Sequence, residues 1–486
     1  MQRALGGKSV ARTLASFAHA CGGRLEGADR TYSGVSTDTR TLAAGELFVA
    51  LHGPNFNGNE FVEAATKAGA AGAVVDAQQP APIAQIVVPN TQKALEKAAH
   101  AWRMGFAIPL VGVAGSNGKT TVKEMISTIL AQAGNCLATR GNLNNHIGVP
   151  LTLFRLDAAQ KFAVVEMGAN APGEVALLVE IGKPTVGIIT NAGAEHLEGF
   201  GSLEGAARAE GEMVAGLAPT ATAVINADDE FAGMWRAMTR AKIVTFGLKA
   251  GADYTATDVR TAIGADGFVT RFTIACPLGR APIELKLAGR HNVINALGAA
   301  AAAAAAGVTL DQIVAGLATV QAVKGRLQLK KTRHGAVLID DSYNANPSSV
   351  HAGIDVLSQI EGGRKWLVFG QMGELGDFAS DAHTEIGAFA RAHGVERLFA
   401  VGKDAQLTVK SFGVGAEWFA DATALSQAVD AALTPDVRLL VKGSRSNRLE
   451  RVVEALGGVP LGGAAGAAPA EKPADKPADK PMNERG

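Results

Sequence analysis

Ile108-Pro-Leu-Val-Gly-Val-Ala-Gly-Ser-Asn-Gly-Lys-Thr-Thr121 is an apolar run that flows into a glycine-rich turn and then into helix-forming residues. In a strand–turn–helix order, glycine amides and a helix N-terminus cradle phosphate groups. Gly115, Ser116, Asn117, Gly118, Lys119, Thr120 and Thr121 are therefore candidate ATP-binding residues. Lys119 would face the β and γ phosphates, and Thr120 would offer its hydroxyl to Mg²⁺. The general G-x-x-x-x-G-K-[ST] spacing asks for glycine at 113, where this chain has Val113. A glycine turn with a chance Lys-Thr is the plain alternative, and the flanking strand and helix weigh against it.

Working outward, strand-like runs recur at 162–166, 185–190, 223–226 and 242–246, separated by helical stretches, so this sheet is expected to be parallel. Between 254 and 287 the pattern alternates, as in Phe268-Val-Thr-Arg-Phe-Thr-Ile274, which predicts an antiparallel insert. On the N-terminal side, short runs at 47–51, 73–75 and 86–88 alternate with helical patterns at 59–68 and 91–102. Beyond Gly325 a third series has strands near 337–339, 366–369, 398–401 and 439–441. The expected fold class is α/β in three domains. These are a small α/β domain over 1–106, a central P-loop mononucleotide-binding parallel sheet over 107–325, and a Rossmann-like domain over 326–461. The Pro-Ala-Asp-Lys repeats in 462–486 offer no apolar face and predict a disordered tail.

The chain's 486 residues agree with three domains at roughly 150 residues each. Lys plus Arg and Asp plus Glu are both 46, so no net field draws a polyanion or an acidic membrane, and nucleic acid is not an expected partner. Cys21, Cys136 and Cys276 form no C-x-x-C pair, which argues against a disulfide framework or zinc and for a reducing cytoplasm. The run 296–308 is mostly alanine and too short for a membrane span, so it predicts a buried helix. Arg3, Lys8 and Arg12 precede Leu14, Phe17, Ala18 and Cys21 and could imitate a secretion signal. The i, i+3, i+4, i+7 spacing and the interrupting His19 favour an amphipathic helix instead.

Several polar residues each carry a plain reading and a chemical one. Glu166 ends a strand-like run, either as a solvated acid or as a partner of Thr120 on Mg²⁺ at the sheet edge where open α/β sheets bind ligands. Asn292 and Asn295 could cap the alanine-rich helix. Asp340, Asp341, Tyr343, Asn344 and Asn346, ended by Pro347, could be an ordinary turn. His196 alone reads more often as structural.

The Gly-Ser-Asn-Gly-Lys-Thr-Thr loop resembles that of the Mur ligase superfamily of ATP-dependent amide-forming enzymes, and further segments match in order. They are Glu166-Met-Gly-Ala-Asn170, Thr190-Asn-Ala-Gly-Ala-Glu-His-Leu197, Asn226-Ala-Asp-Asp229, Gly289-Arg-His-Asn-Val-Ile-Asn295, Asp340-Asp-Ser-Tyr-Asn-Ala-Asn-Pro347, Gly370-Gln-Met-Gly-Glu-Leu-Gly376 and Lys442-Gly-Ser-Arg445. The resemblance covers about 32–456 and points to the branch that adds a dipeptide. It implies ATP and Mg²⁺, with UDP-N-acetylmuramoyl-tripeptide and D-alanyl-D-alanine as partners and a cytoplasmic monomer. It makes Lys119, Glu166 and His196 catalytic, with His196 at a second Mg²⁺. Asn292, Asn295, Arg326 and Asp341 would reach ATP, and Tyr343, Asn344 and Asn346 would close over ATP and dipeptide. Thr37, Asp38, Thr39 and Arg40 would hold the uridine diphosphate, Arg40 pairing with phosphate through its fork of donors. Thr139, Asn142, Asn144 and Asn145 would receive the muramoyl peptide. His383 also falls on a matching position, with no role beyond capping or domain contact. Glu210 stands where the superfamily usually has a lysine carbamylated to bind the second Mg²⁺; Arg208 or Glu212 could be the true equivalent. A ligase with another amine donor, such as a folylpolyglutamate synthase, and a non-catalytic ATP-binding scaffold are the rival readings. Whether the third residue of the tripeptide is diaminopimelate or lysine is left open.

Overall fold

Leu110–Ala114, buried at all five positions, is the axis on which the central domain is built. The computed structural model describes residues 12–194, 197–264 and 267–461, so the expected tail lies outside the described residues. In the central sheet the strand order is Lys242–Phe246, Thr222–Asn226, Val186–Ile189, Leu110–Ala114, Phe162–Glu166 and Cys136–Ala138. Every pairing is parallel, as the alternation of strand and helix patterns requires. The strand Cys136–Ala138 is an addition to the expected set, three residues being too short to show a period.

Helices Lys119–Ala131 and Arg290–Ala305 cover one face of this sheet. The second is alanine-rich because it lies close to the strands: a Cβ on Gly298 would stand 2.9 Å from the Phe246 ring and 3.0 Å from Ile188. Gly148–Leu153, Glu174–Gly182 and Leu203–Ala215 cover the other face, and Thr91–Met104 packs on the first two of these helices. The alternating segment forms the expected insert of three antiparallel strands, Thr255–Gly264, Gly267–Cys276 and Gly279–Leu285.

The N-terminal domain has a five-stranded sheet, in the order Arg24–Glu26, Gln85–Val87, Gly72–Val75, Leu47–Val49 and Val35–Ser36. Leu14–Cys21 is a helix with a Thr13–Ser16 capping box, and it buries the four residues its spacing predicts. The C-terminal sheet has seven strands. Ala416–Phe419, Arg397–Val401, Arg364–Gly370, Val437–Lys442 and Val337–Asp341 are parallel; Gln328–Lys331 pairs antiparallel with the last of these, and Val459–Pro460 pairs antiparallel with Gln328–Lys331 at that edge.

The domain contacts differ in kind. Trp102, on the last N-terminal-domain helix, donates its Nε1–H to Leu156 O (3.2 Å), and the Arg103 guanidinium donates to Gly182 O (3.1 Å). Phe17 stacks on Phe154 at 5.8 Å, and the two domains share one apolar core. The C-terminal domain has its own apolar clusters, reached by Phe268 and Ala288 of the central part. Among the described residues no helix is long and apolar enough to cross a membrane.

Candidate active site

Parallel strands release their polar ends at one sheet edge, and there Leu110–Ala114 delivers the phosphate loop. Gly115 has φ 122°, and a Cβ on it would sit 2.1 Å from Thr190 Oγ1. Gly118 has φ 83°, and its Cβ would meet Asn295 Oδ1 at 2.7 Å, so both positions need glycine. Val113 is buried inside the strand, paired with Ile188 and Glu166 on its two sides. The turn therefore begins at Gly115, which explains the departure from the general spacing. Lys119 folds over the loop and donates to Gly115 O (2.5 Å) and Ser116 O (2.9 Å).

Glu166 ends the neighbouring strand and is 3% exposed. Its Oε1 accepts from Asn144 Nδ2 (3.0 Å) and from Thr120 Oγ1 (3.3 Å). Its Oε2 is buried and has no hydrogen-bond partner among the described residues. A buried carboxylate oxygen left unmatched is costly, and a hard cation relieves it. The Thr120 hydroxyl and the Glu166 carboxylate are the oxygen donors Mg²⁺ takes, so this pair fits that ion. His196 lies outside the described residues. Among the described residues no three His, Cys, Asp or Glu side chains gather as a metal cluster.

Glu210, on helix Leu203–Ala215, is 3% exposed, which removes the solvent-facing reading. Its Oε2 accepts from Gly115 N (2.6 Å) at the entrance of the loop. Arg208 instead forms an exposed pair with Glu204, and Glu212 accepts from Gly173 N and Ala176 N, so Glu210 is the one aimed at the P-loop.

A cleft of about 710 Å³ opens between this edge and the C-terminal domain. It is lined by Ser116, Asn117, Gly118, Lys119, Thr120, Thr121, Asn142, Asn144, Asn145, Glu166, Asn292 and Asn295 from the central domain. Arg326, Asp341, Tyr343, Asn344 and Asn346 line the other wall, so most of the expected residues are brought together. Gly115, Thr139 and Glu210 lie behind the lining. Thr139 is buried with its Oγ1 accepting from Glu166 N (3.0 Å), so it supports the loop from beneath. Thr37, Asp38, Thr39 and Arg40 lie away from this cleft, and the Arg40 guanidinium is closed on Asp38 at 2.7 Å.

Asn292 and Asn295 do not cap their helix, whose N-cap is Gly289 without a side-chain bond. Asn292 Nδ2 donates to Ala288 O (2.7 Å) and Asn295 Nδ2 to Asn292 Oδ1 (3.2 Å). Arg326 Nη2 donates to Thr120 Oγ1 (3.3 Å), and its guanidinium lies 4.5 Å from the centre of the Tyr343 ring. Asp341 accepts from Lys442 Nζ (2.7 Å) and Leu327 N (3.2 Å); burial pushes its carboxyl up against the opposing pull of Lys442. His383 is buried and structural, its Nε2 accepting from Met372 N (3.0 Å) with Nδ1 against Ala379 O (2.7 Å).

Lys442 and His291, quoted above only within matching segments, and Ser348 also line the cleft, although the sequence assigned none of them a role. Lys442 was findable in principle, as a charged residue closing a parallel strand just as Glu166 does. His291 has its pKa lowered to about 4 by burial and by the positive charge of Lys442, which keeps it neutral near pH 7.

A P-loop, a strand-end carboxylate on its threonine and a facing α/β domain define a nucleotide-dependent enzyme of the phosphoryl-transfer class. Residues 31–103 match the Mur ligase family catalytic domain, 113–303 the Mur ligase middle domain, and 325–445 the Mur ligase glutamate ligase domain. The chain belongs to the Mur ligase family. It is 42% identical over 451 residues to the UDP-N-acetylmuramoyl-tripeptide–D-alanyl-D-alanine ligase of Escherichia coli (strain K12), covering 92% of this chain and 98% of that one. The enzyme of the same name from Bacillus subtilis (strain 168) is 36% identical, with 88% and 94% covered. A crystal structure of MurF from Acinetobacter baumannii superposes with a TM-score of 0.85 at 32% identity, covering 92% of this chain and 99% of that chain. MurF ligase from Thermotoga maritima in complex with ADP gives 0.78 at 25% identity, covering 87% and 96%.

Proposed function

We infer that this protein is an ATP-dependent ligase that joins D-alanyl-D-alanine to UDP-N-acetylmuramoyl-tripeptide and so completes the pentapeptide precursor of peptidoglycan. The observation that carries the chemistry is the buried Glu166 carboxylate paired with the Thr120 hydroxyl beside Lys119, open to a cleft whose other wall is a separate domain. A carboxylate and an amine do not condense unaided in water. The tripeptide carboxylate oxygen attacks the γ phosphorus of ATP, ADP leaves, and an acyl phosphate forms. The dipeptide amine then attacks the acyl carbon, phosphate leaves, and the nitrogen loses a proton. Mg²⁺, when held by Thr120 and Glu166, supplies charge neutralisation for the phosphates.

The chain's own residues orient and shield. Lys119 and the loop amides hold the phosphates, and Asn144 fixes the rotamer of Glu166. Arg326 ties the domain junction to Thr120, and closure of the C-terminal wall excludes water that would hydrolyse the acyl phosphate. We assign 1–106 to the nucleotide sugar, with Arg40 exchanging Asp38 for a phosphate, 107–325 to ATP, and 326–461 to the dipeptide. Asn142 and Asn145 join Asn144 around the acceptor peptide, and Asn292 and Asn295 approach the nucleotide. The same reading makes the protein a cytoplasmic monomer. The test is a mass-resolved product assay offering the diaminopimelate and lysine tripeptides with D-alanyl-D-alanine. Phosphate release that needs both an acyl acceptor and the dipeptide supports the reading, and release independent of either sinks it.

Glu210 adds a proposal within the same reading. Its encoded carboxylate would stand in for the carbamate of the family lysine and help hold the second Mg²⁺, while Oε2 keeps Gly115 in place. Turnover should then be indifferent to bicarbonate depletion, and Glu210→Gln should raise the Mg²⁺ requirement sharply. A wild-type enzyme silenced by CO₂ removal, or a variant unaltered at limiting Mg²⁺, would refute it.

A further inference from the structure

Asn117 and the start of helix Pro347–Gln359 close a ring of three hydrogen bonds across the cleft. Asn346 Nδ2–H donates to Asn117 Oδ1 (2.9 Å), Asn117 Nδ2–H donates to Ser348 Oγ (3.0 Å), and Ser348 Oγ–H donates to Asn346 Oδ1 (3.2 Å). Each member donates once and accepts once within the ring, and Asn117 and Ser348 stand 231 residues apart in sequence.

Both ends of the ring are anchored. Asn117 N donates to Asn191 Oδ1 (3.0 Å), and its carbonyl accepts from Thr190 Oγ1 (2.6 Å) and Asn191 Nδ2 (3.0 Å). Asn346 is the N-cap of the helix, its Oδ1 accepting from Ser349 N (2.9 Å). A glycine leaves the space: a Cβ on Gly193 would stand 2.8 Å from Asn117 Nδ2 and 3.2 Å from Ser348 Oγ. The ring therefore registers the phosphate loop against the loop that presents Asp341, Tyr343 and Asn344, with no apolar contact needed.

We propose that Asn117, Asn346 and Ser348 are positioning residues that couple seating of the amine-donor domain to phosphoryl transfer, so that acyl phosphate forms only where the dipeptide amine, and not water, is next to it. This rests on the ligase function inferred above. With the ring broken, the C-terminal domain spends more time off the P-loop. Water then competes for the acyl carbon: its oxygen attacks, phosphate leaves, and the tripeptide carboxylate is regenerated. ATP is spent without an amide.

The test compares wild type, Ser348→Ala and Ser348→Thr for phosphate released per amide formed, kcat/KM for D-alanyl-D-alanine, and ADP affinity. Ser348→Ala removes two of the ring's three hydrogen bonds, which predicts a fall of about five- to a hundredfold in kcat/KM, with phosphate per amide rising above the wild-type ratio. ADP affinity should stay within about twofold, and Ser348→Thr, which keeps a hydroxyl, should restore coupling. Asn346→Asp, which keeps the cap oxygen but lacks the donor, is the second variant should Ser348→Ala not fold. A folded variant that couples like wild type overturns the proposal. So does a loss of ADP affinity as large as the loss of kcat/KM, or a threonine variant no better than alanine. Wild-type enzyme that fails to make amide at all would defeat the ligase reading instead, so the two failures are distinct.

Discussion

The N-terminal and central domains share one apolar core, whereas the central and C-terminal domains face each other across an open cleft in which polar and charged side chains outnumber apolar ones. Phe268 and Ala288 pack into the C-terminal core, and Leu287, Val320 and Val323 add apolar lining to the cleft, but neither makes a shared core of the two domains. The difference is one of exchange. Apolar area buried behind Trp102 and Phe17 has no equivalent partner in water, so separating those domains forfeits it. Hydrogen bonds such as Arg326 to Thr120 can be remade with water or ligand at a net cost of about 0.5–1.5 kcal/mol each. One junction is thus a fixture, and the other can open for three ligands and close again.

The largest effect expected within the polar junction is that of Lys119→Ala. It removes the cation over the phosphate loop and should lower kcat about a hundred- to a thousandfold. The melting temperature should hardly move, since the side chain is partly exposed and its bonds to Gly115 O and Ser116 O stay within the loop. A variant keeping more than about a tenth of the wild-type rate would show that Lys119 does not face the transferring group, each tenfold being about 1.4 kcal/mol.

Trp102→Ala attacks the other junction and should do the reverse. The indole is 7% exposed, packs edge-on against Phe106 at 5.4 Å, and carries the Arg12 guanidinium 4.6 Å from its centre. Its loss should cost about 3–5 kcal/mol, a drop of roughly ten degrees in melting temperature, with turnover per folded molecule near wild type. A large fall in kcat at unchanged melting temperature would mean that this interface also moves during the reaction.

The fixture and the hinge were unequally legible in the sequence. The central strands could be read because buried parallel strands are continuous apolar runs, and the phosphate loop because only glycine fits positions 115 and 118. The edge strands Arg24–Glu26 and Val35–Ser36 could not, since two or three residues carry no period. In the site, Glu166 was legible as a carboxylate closing a strand. Ser348 was not, because its partner Asn117 lies in another domain and no spacing rule connects them. Thr139 and Arg40 show a related limit: residue type was informative, but direction was set by packing, one side chain pointing beneath its loop and the other closing on Asp38.

The smallest effect expected is a pH dependence confined to the polar junction. His291 belongs to the central domain and Lys442 to the C-terminal one, and the lysine's charge together with burial lowers the imidazole pKa from 6.5 to about 4. Between those values the unfolded chain binds a proton that the folded, closed protein does not. The stabilisation is therefore complete above about pH 6.5 and is lost as the pH falls toward about 4, where a protonated His291 would repel Lys442 across the cleft. His291→Gln removes this titration and leaves a polar side chain. Carboxylates elsewhere titrate in the same window, so the difference between the two proteins' melting curves carries the test rather than either curve. Wild type should lose more stability than His291→Gln as the pH falls from 6.5 to 4, and Trp102→Ala should leave that slope unchanged, because the apolar junction has no part in it. Parallel curves for wild type and His291→Gln would show that the proton is not held off by the closed cleft, and that the second junction is less sensitive to charge than its residues imply.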